Sequence, residues 1–175
     1  MNRKGFSLIE LIVTIAILAI AASLAVGSFN LVYVKNVQSC ASRIDALLSK
    51  TKICAMSRAG SVYLRIYQGS DGIYADYCEG GAVVESNKVG KSTVALVWND
   101  GTTDHALADQ GQDLYLSFDR GTGAFLTLAQ SFSCANQRYT GANTNCCVSI
   151  TLTGGGTTRI ITMIAPTGKH TITAG

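Results

Sequence analysis

Three stretches of different periodicity follow one another along the chain. From Phe6 to Val26 the sequence is apolar but for Ser7, Thr14 and Ser23, with one ionisable side chain, Glu10. That length meets the ~20 residues a helix needs to cross a bilayer. Beyond Gly27 the pattern becomes amphipathic: Val37, Cys40, Ala41, Ile44, Leu47, Leu48, Thr51, Cys54 and Ala55 recur three and four apart, the spacing of one helix face. Lys35, Arg43, Asp45, Lys50, Lys52 and Arg58 fall mostly off that stripe. One continuous helix from Phe6 to about Ala59 is predicted, with Gly60 as its stop, roughly 80 Å long at 1.5 Å per residue. Its first half suits lipid; its second half lays an apolar stripe against a partner, the remainder of the chain.

From Ser61 the period changes to two. Val62, Leu64 and Ile66 alternate with Tyr63, Arg65 and Tyr67, a half-buried strand. Gln68–Gly72 is turn chemistry, and Ile73–Glu79 completes a hairpin. Further strands are expected at Ala82–Glu85, Thr93–Trp98, Asp113–Asp119, Ala124–Phe132, Cys147–Thr153 and Thr158–Ile164, with a short edge strand at His170–Thr173. Residues 101–112 and Ser133–Asn145 read as polar loops. The expected fold class is α+β, a long N-terminal helix packed on an antiparallel β-rich head. The expected division is a leader over 1–5, a helix over 6–60 with 6–26 spanning the membrane, and a head over 61–175.

Charge divides along the same line. Residues 1–60 hold seven Lys/Arg against Glu10 and Asp45, giving +5, and residues 61–175 hold seven against nine, giving −2. A mildly acidic head argues against nucleic-acid binding. Six cysteines, Cys40, Cys54, Cys78, Cys134, Cys146 and Cys147, suggest disulfides in an exported chain. No C-x2-C pair is present, so zinc is disfavoured. Cys134 and Cys146 frame a polar loop between two strands expected to pair as a hairpin, which would bring the two within reach of a disulfide that staples the loop. Cys147 should point to the opposite strand face from Cys146. Cys54 and Cys78 are candidate partners for each other or for Cys147.

Glu10 is the residue the apolar run does not explain. A carboxylate near the membrane centre costs roughly 2.5–3.5 kcal/mol on insertion scales, less near an end, so it requires a partner. Arg3 and Lys4 precede the run and favour a cytoplasmic N-terminus. A secretory signal peptide fits poorly, because the run exceeds 7–15 residues and no small-x-small cleavage site follows cleanly. A plain single-span anchor would not carry Glu10.

Gly5-Phe6-Ser7-Leu8-Ile9-Glu10 resembles the class III leader junction of type IV pilins and type II secretion pseudopilins. The resemblance implies cleavage after Gly5 by a membrane-embedded prepilin peptidase and methylation of the new N-terminus, Phe6. It also implies that Glu10 neutralises the terminal ammonium of an adjacent subunit in a filament core. Where many pilins carry a helix-kinking proline this chain has Gly27, and Gly27-Ser28 is expected to loosen the helix there. Strands that begin directly after the helix, with Ala55–Gly60, Leu116–Gly123 and Thr167-Gly168-Lys169, look like the H-type minor pseudopilin group. Some minor pilins of that group take up DNA through arginine-rich C-terminal segments. Arg159, Lys169 and His170 are too little charge for that here.

The remaining chemistry is sparse. Gly121-Thr122-Gly123 lies between strands and reads as a hairpin turn rather than a phosphate loop. Asp100, Asp104, His105, Asp109 and Asp113 form an acidic stretch without EF-hand spacing. Related pseudopilins bind calcium in loops, and calcium here is the alternative to the expected absence of any cofactor. His105 and His170 belong to no nucleophile motif and are expected at the surface, so no enzyme activity is expected. The function expected is a structural, minor subunit of a type IV pilus or type II secretion-like pseudopilus. Its partners would be like subunits, the peptidase, a membrane assembly platform and, before assembly, lipid. It would begin as a single-pass membrane protein with a cytoplasmic leader and an external head, then enter the filament. The alternative is a membrane-anchored binding module for DNA, an adhesion ligand or secreted cargo, using the Ser133–Asn145 loop.

Overall fold

The computed structural model describes residues 7–109, 113–127 and 145–175, the side chains of 24–31 aside. Helix α1 runs unbroken over Leu8–Ser57, and its 50 residues extend about 75 Å at 1.5 Å per residue. The expected loosening at Gly27-Ser28 does not interrupt it. At its C-terminus the Arg58 amide donates to the Cys54 carbonyl at 2.9 Å, and Gly60 follows at φ 115.

Among the described residues nine strands follow: β1 Val62–Gln68, β2 Gly72–Glu79, β3 Ala82–Lys91, β4 Ala95–Asn99, β5 Asp104–Ala106, β6 Leu114–Ser117, β7 Ser149–Gly154, β8 Thr157–Ile164 and β9 Lys169–Ala174. They form two antiparallel sheets, ordered β3-β2-β1-β6 and β5-β4-β7-β8-β9. The α+β architecture expected from the periodicities is the one observed.

The C-terminal half of α1 holds the two sheets together, contacting strands of both. Val37, Cys40, Ala41, Ile44, Leu48, Thr51 and Ala55 are buried, seven of the nine predicted stripe positions, with Leu47 and Cys54 partly buried beside them. They meet Leu64, Ile66, Ile73, Ala75 and Tyr77 of the first sheet, and Leu96, Trp98, Ile150, Leu152 and Ile161 of the second, in one core cluster. Burying each of the larger aliphatic side chains contributes about 1.5–3 kcal/mol. Thr51 sits in this core because its hydroxyl donates to the Leu47 carbonyl at 2.7 Å, the internal bond a helical threonine can make.

Several expectations are corrected. β3 is ten residues long rather than four: it is an edge strand, exposed over most of its length, so Ser86, Asn87 and Lys88 continue it without an apolar alternation. A register shift opposite Ile73 and Tyr74 breaks the pattern further before Val89 and Gly90 turn inward. The 101–112 stretch contains β5, which pairs with β4. The described part of Ala124–Phe132 makes only an isolated bridge, Phe125 with Phe118. β7 is flanked by β4 and β8, so it does not form the expected hairpin with that segment.

Candidate functional site

From Leu8 to Ser23 α1 is apolar around most of its circumference and uncovered. Leu8, Ile9, Leu11, Ile12, Ile15, Ile17, Leu18 and Ile20 are all at least 56% exposed. A surface this apolar on every side requires lipid or other protein around it. Its polar groups are satisfied locally: the Thr14 hydroxyl donates to the Leu11 carbonyl at 2.8 Å, and the Ser23 hydroxyl to Ile20 at 2.7 Å. That is the arrangement a water-free environment demands.

Glu10 stands in the first turn of this helix. Ser7 is the N-cap, and its side chain accepts from the Glu10 amide at 3.3 Å. Ser7-Leu8-Ile9-Glu10 therefore has the spacing of a capping box, a signal legible in the sequence that the reading above did not use. The carboxylate lies at the positive end of the helix dipole, where a negative charge is favoured. Glu10 is exposed, and it makes no ion pair among the described residues. Gly5 and Phe6 lie outside the described residues.

Among the described residues no helix is long and apolar enough to cross a membrane. The expected span over 6–26 is therefore not met there. The described side chains of this stretch run only from Ser7 to Ser23, short of the ~20 apolar residues required.

The cysteines do not pair as expected. Cys40, Cys54, Cys78, Cys146 and Cys147 are free thiols, and Cys134 lies outside the described residues, as does most of the Ser133–Asn145 loop. Strand alternation excludes Cys54–Cys78. Tyr77 faces α1, with the Lys50 ammonium 4.8 Å above its ring, so its neighbour Cys78 points to the far face of the sheet. Cys147 is buried, its thiol donating to the Ser149 carbonyl at 3.7 Å, whereas the Cys146 thiol donates to Phe125 at 3.8 Å. The two adjacent cysteines do take separate surroundings.

Both histidines are half-buried rather than free at the surface. His105 stacks on Trp98 with ring centroids 4.1 Å apart, and its Nε2 lies 3.1 Å from Asp100 Oδ2. His170 lies against α1, Nε2 3.1 Å from the Ser49 hydroxyl and 3.4 Å from Asp45 Oδ1. Sequence reasoning missed them because β4–β5 and β8–β9 pairing decides which way they point.

The acidic stretch does not converge on a cation site. Asp100 accepts from the Thr102 amide and hydroxyl and the Thr103 amide at 2.7–2.8 Å. Burial alone would raise its pKa; the Thr102 hydroxyl, His105 and these amides outweigh that and hold the carboxyl well below the usual range. Asp104 accepts from the Asn99 amide at 2.6 Å, and Asp113 pairs with Arg65 at 2.7 Å. No group of three or more His, Cys, Asp or Glu able to hold a metal occurs among the described residues.

No curated protein and no solved structure matches the chain. A family model described as "Prokaryotic N-terminal methylation motif" does match, over residues 1–26. That segment takes in the Gly5–Phe6 junction, the Ser7 cap, Glu10 and the exposed apolar helix from Leu8 to Ser23. The chain thus carries a type IV pilin-like prepilin signal, the mark of a protein processed by prepilin peptidase.

Proposed function

We propose that the protein is a minor structural subunit of a type IV pilus or of a type II secretion-like pseudopilus, and that it works by assembly rather than catalysis. The observation that carries this reading is the capped, largely apolar and uncovered helix from Leu8 to Ser23, under a sequence that matches the methylation motif. Before assembly, residues 6–26 lie in the membrane with the leader inside and the head outside. After cleavage at Gly5, the helix moves into a bundle of like helices, where the Glu10 carboxylate meets a neighbour's methylated Phe6 ammonium. Two charges costly in an apolar core then offset each other. The H-type assignment is supported by the short link between helix and sheet: β1 begins at Val62, after α1 ends at Ser57. Nothing among the described residues favours the binding-module alternative, whose loop lies largely outside them.

The test is mass spectrometry of the mature chain together with filament incorporation of Glu10→Val. The mature chain should start at methylated Phe6. The variant should be processed and membrane-inserted at wild-type level yet scarce in filaments, because the neighbour's ammonium is left unpaired. A start beyond Ala22 identifies an ordinary signal peptide, and wild-type incorporation of Glu10→Val removes the charge-pairing mechanism.

A further inference from the structure

A second polar feature lies where the helix meets the head. From Leu11 to Val34 the sequence holds no acid, lysine, arginine or histidine, and Lys35 is the first cation after Glu10. One residue later a groove of about 480 Å³ opens between α1 and β3. Asn36, Ser39 and Arg43 line it from one helix face, and Lys88, Lys91 and Ser92 from the strand and the turn after it. Arg43 Nη1 donates to the Lys88 carbonyl at 2.9 Å, which fixes the guanidinium at the wall. Lys88 pairs with Asp71, the one acid in the lining. Lys91 is exposed and has no ion-pair partner among the described residues. Arg43, Lys88 and Lys91 thus line the groove with a single acid among the described residues, and Lys35 precedes it by one position on α1, on a chain whose residues 61–175 carry −2 overall.

We propose that this groove docks the phosphodiester headgroup of an anionic phospholipid while the subunit waits in the membrane. The inference rests on the membrane-held stage of the function proposed above. The uncharged sequence does not end at Val26 but runs on to Val34, so the outer edge of the membrane-held stretch is set at Val34 rather than Val26. The 24 residues from Leu11 to Val34 rise about 36 Å as a helix, enough for a hydrocarbon core of ~30 Å with some tilt. With that stretch in lipid, Tyr33 falls at the interface, where aromatic side chains favour the headgroup level. Lys35 emerges among the headgroups, and the groove opens within about a Debye length, ~10 Å, of the anionic surface. An arginine fork, two ammonium groups, two hydroxyls and an amide suit a phosphate oxygen cluster. A groove formed jointly by α1 and β3 lets one headgroup fix how the head sits on the membrane, with release left to the extraction step.

The experiment uses the full chain in two kinds of vesicle, phosphatidylcholine alone and phosphatidylcholine with phosphatidylglycerol. Each is doped with a photo-crosslinking lipid of its own headgroup class, and labelled peptides are mapped. Peptides from Leu8–Ser23 should be labelled in both. Peptides containing Lys91 should be labelled several-fold more by the phosphatidylglycerol probe, and Lys35→Glu with Lys91→Glu should bring that labelling down to the phosphatidylcholine level. Both lysines are exposed, so the variant should fold as the parent does. Equal labelling of the Lys91 peptides by the two probes overturns the proposal. Suppression by inorganic phosphate beyond that by chloride at equal ionic strength overturns the lipid source and points to a soluble phosphate. If the Leu8–Ser23 peptides stay unlabelled in both vesicles, the membrane-held stage fails and the groove proposal fails with it. Labelled helix peptides with unlabelled groove peptides sink the groove alone.

Discussion

The Cys40 sulfur rests directly on the bare α-carbon of Gly90: a methyl built on that glycine would come within 2.8 Å of Sγ and 3.2 Å of Ile73 Cδ1. This contact lets α1 settle onto β3. Cys40 is fully buried, and burial pushes its thiol up to about 12. The sulfur here is a packing atom, not a reactive one.

Gly90→Ala should destabilise the head by about 1–3 kcal/mol, the usual cost of overpacking a tight core. Cys40→Ala should recover part of that loss in the double variant, because its smaller side chain vacates the space the new methyl needs. Urea unfolding of the two single variants and the double gives the coupling. Strictly additive effects would mean the two residues do not share this contact.

Gly155 and Gly156 form the β7–β8 turn, both at positive φ, 56 and 77. They differ in what a side chain would meet. At Gly155 a Cβ would lie 2.3 Å from the Tyr33 Cβ, whereas at Gly156 nothing stands within 4 Å. Gly156→Ala should cost about 1 kcal/mol for the backbone conformation alone. Gly155→Ala should cost clearly more, since the turn must leave the helix. Thermal midpoints of the two variants test the ordering, and equal shifts would contradict the Tyr33 contact.

Asp100 should make the head acid-sensitive. Its folded pKa is depressed below an unfolded value of about 3.9. A depressed carboxylate contributes stability that is fully present above the unfolded pKa and is lost as pH falls through the folded one. Urea midpoints should therefore hold from pH 7 down to about pH 5 and drop below about pH 4, and Asp100→Asn should flatten part of that drop. The same variant should cost about 2 kcal/mol at pH 7, because the neutral amide accepts the Thr102 and Thr103 bonds more weakly. An unchanged pH profile in Asp100→Asn would assign the acid sensitivity elsewhere.

Thiol reactivity should follow burial. Cys40, Cys78 and Cys147 are at most 2% exposed, and burial raises all three thiols. They should resist alkylation at pH 8 without denaturant, while Cys54 and Cys146, partly exposed, react first. Peptide mapping without reductant should show no Cys54–Cys78 link, since the sheet separates the two. Finding that link would overturn the register of β1 and β2.

The N-terminal half of the chain was legible because its structure is local. An apolar run of that length, a stripe at helical spacing and Ser7 three residues before Glu10 each state their consequence within a few residues, and α1 follows them from Leu8 to Ser57. The first hairpin was legible for the same reason, strict alternation around Gln68–Gly72. Tertiary structure decided the rest. The β7–β8 hairpin is local and legible in Gly154-Gly155-Gly156, but that the other edge of β7 takes β4 rather than the segment around Phe125 depends on a pairing of high sequence separation, and periodicity carries no information about such partners. β3 runs past Glu85 because β2 is there to pair with Ser86, Asn87 and Lys88, polar residues of an exposed edge that carry no apolar alternation. His105 and His170 point inward because Trp98 and α1 are there to receive them. Cys54 and Cys78 stand apart because a period of two places neighbouring residues on opposite faces, and only the packing of α1 on one of those faces determines which cysteine it meets.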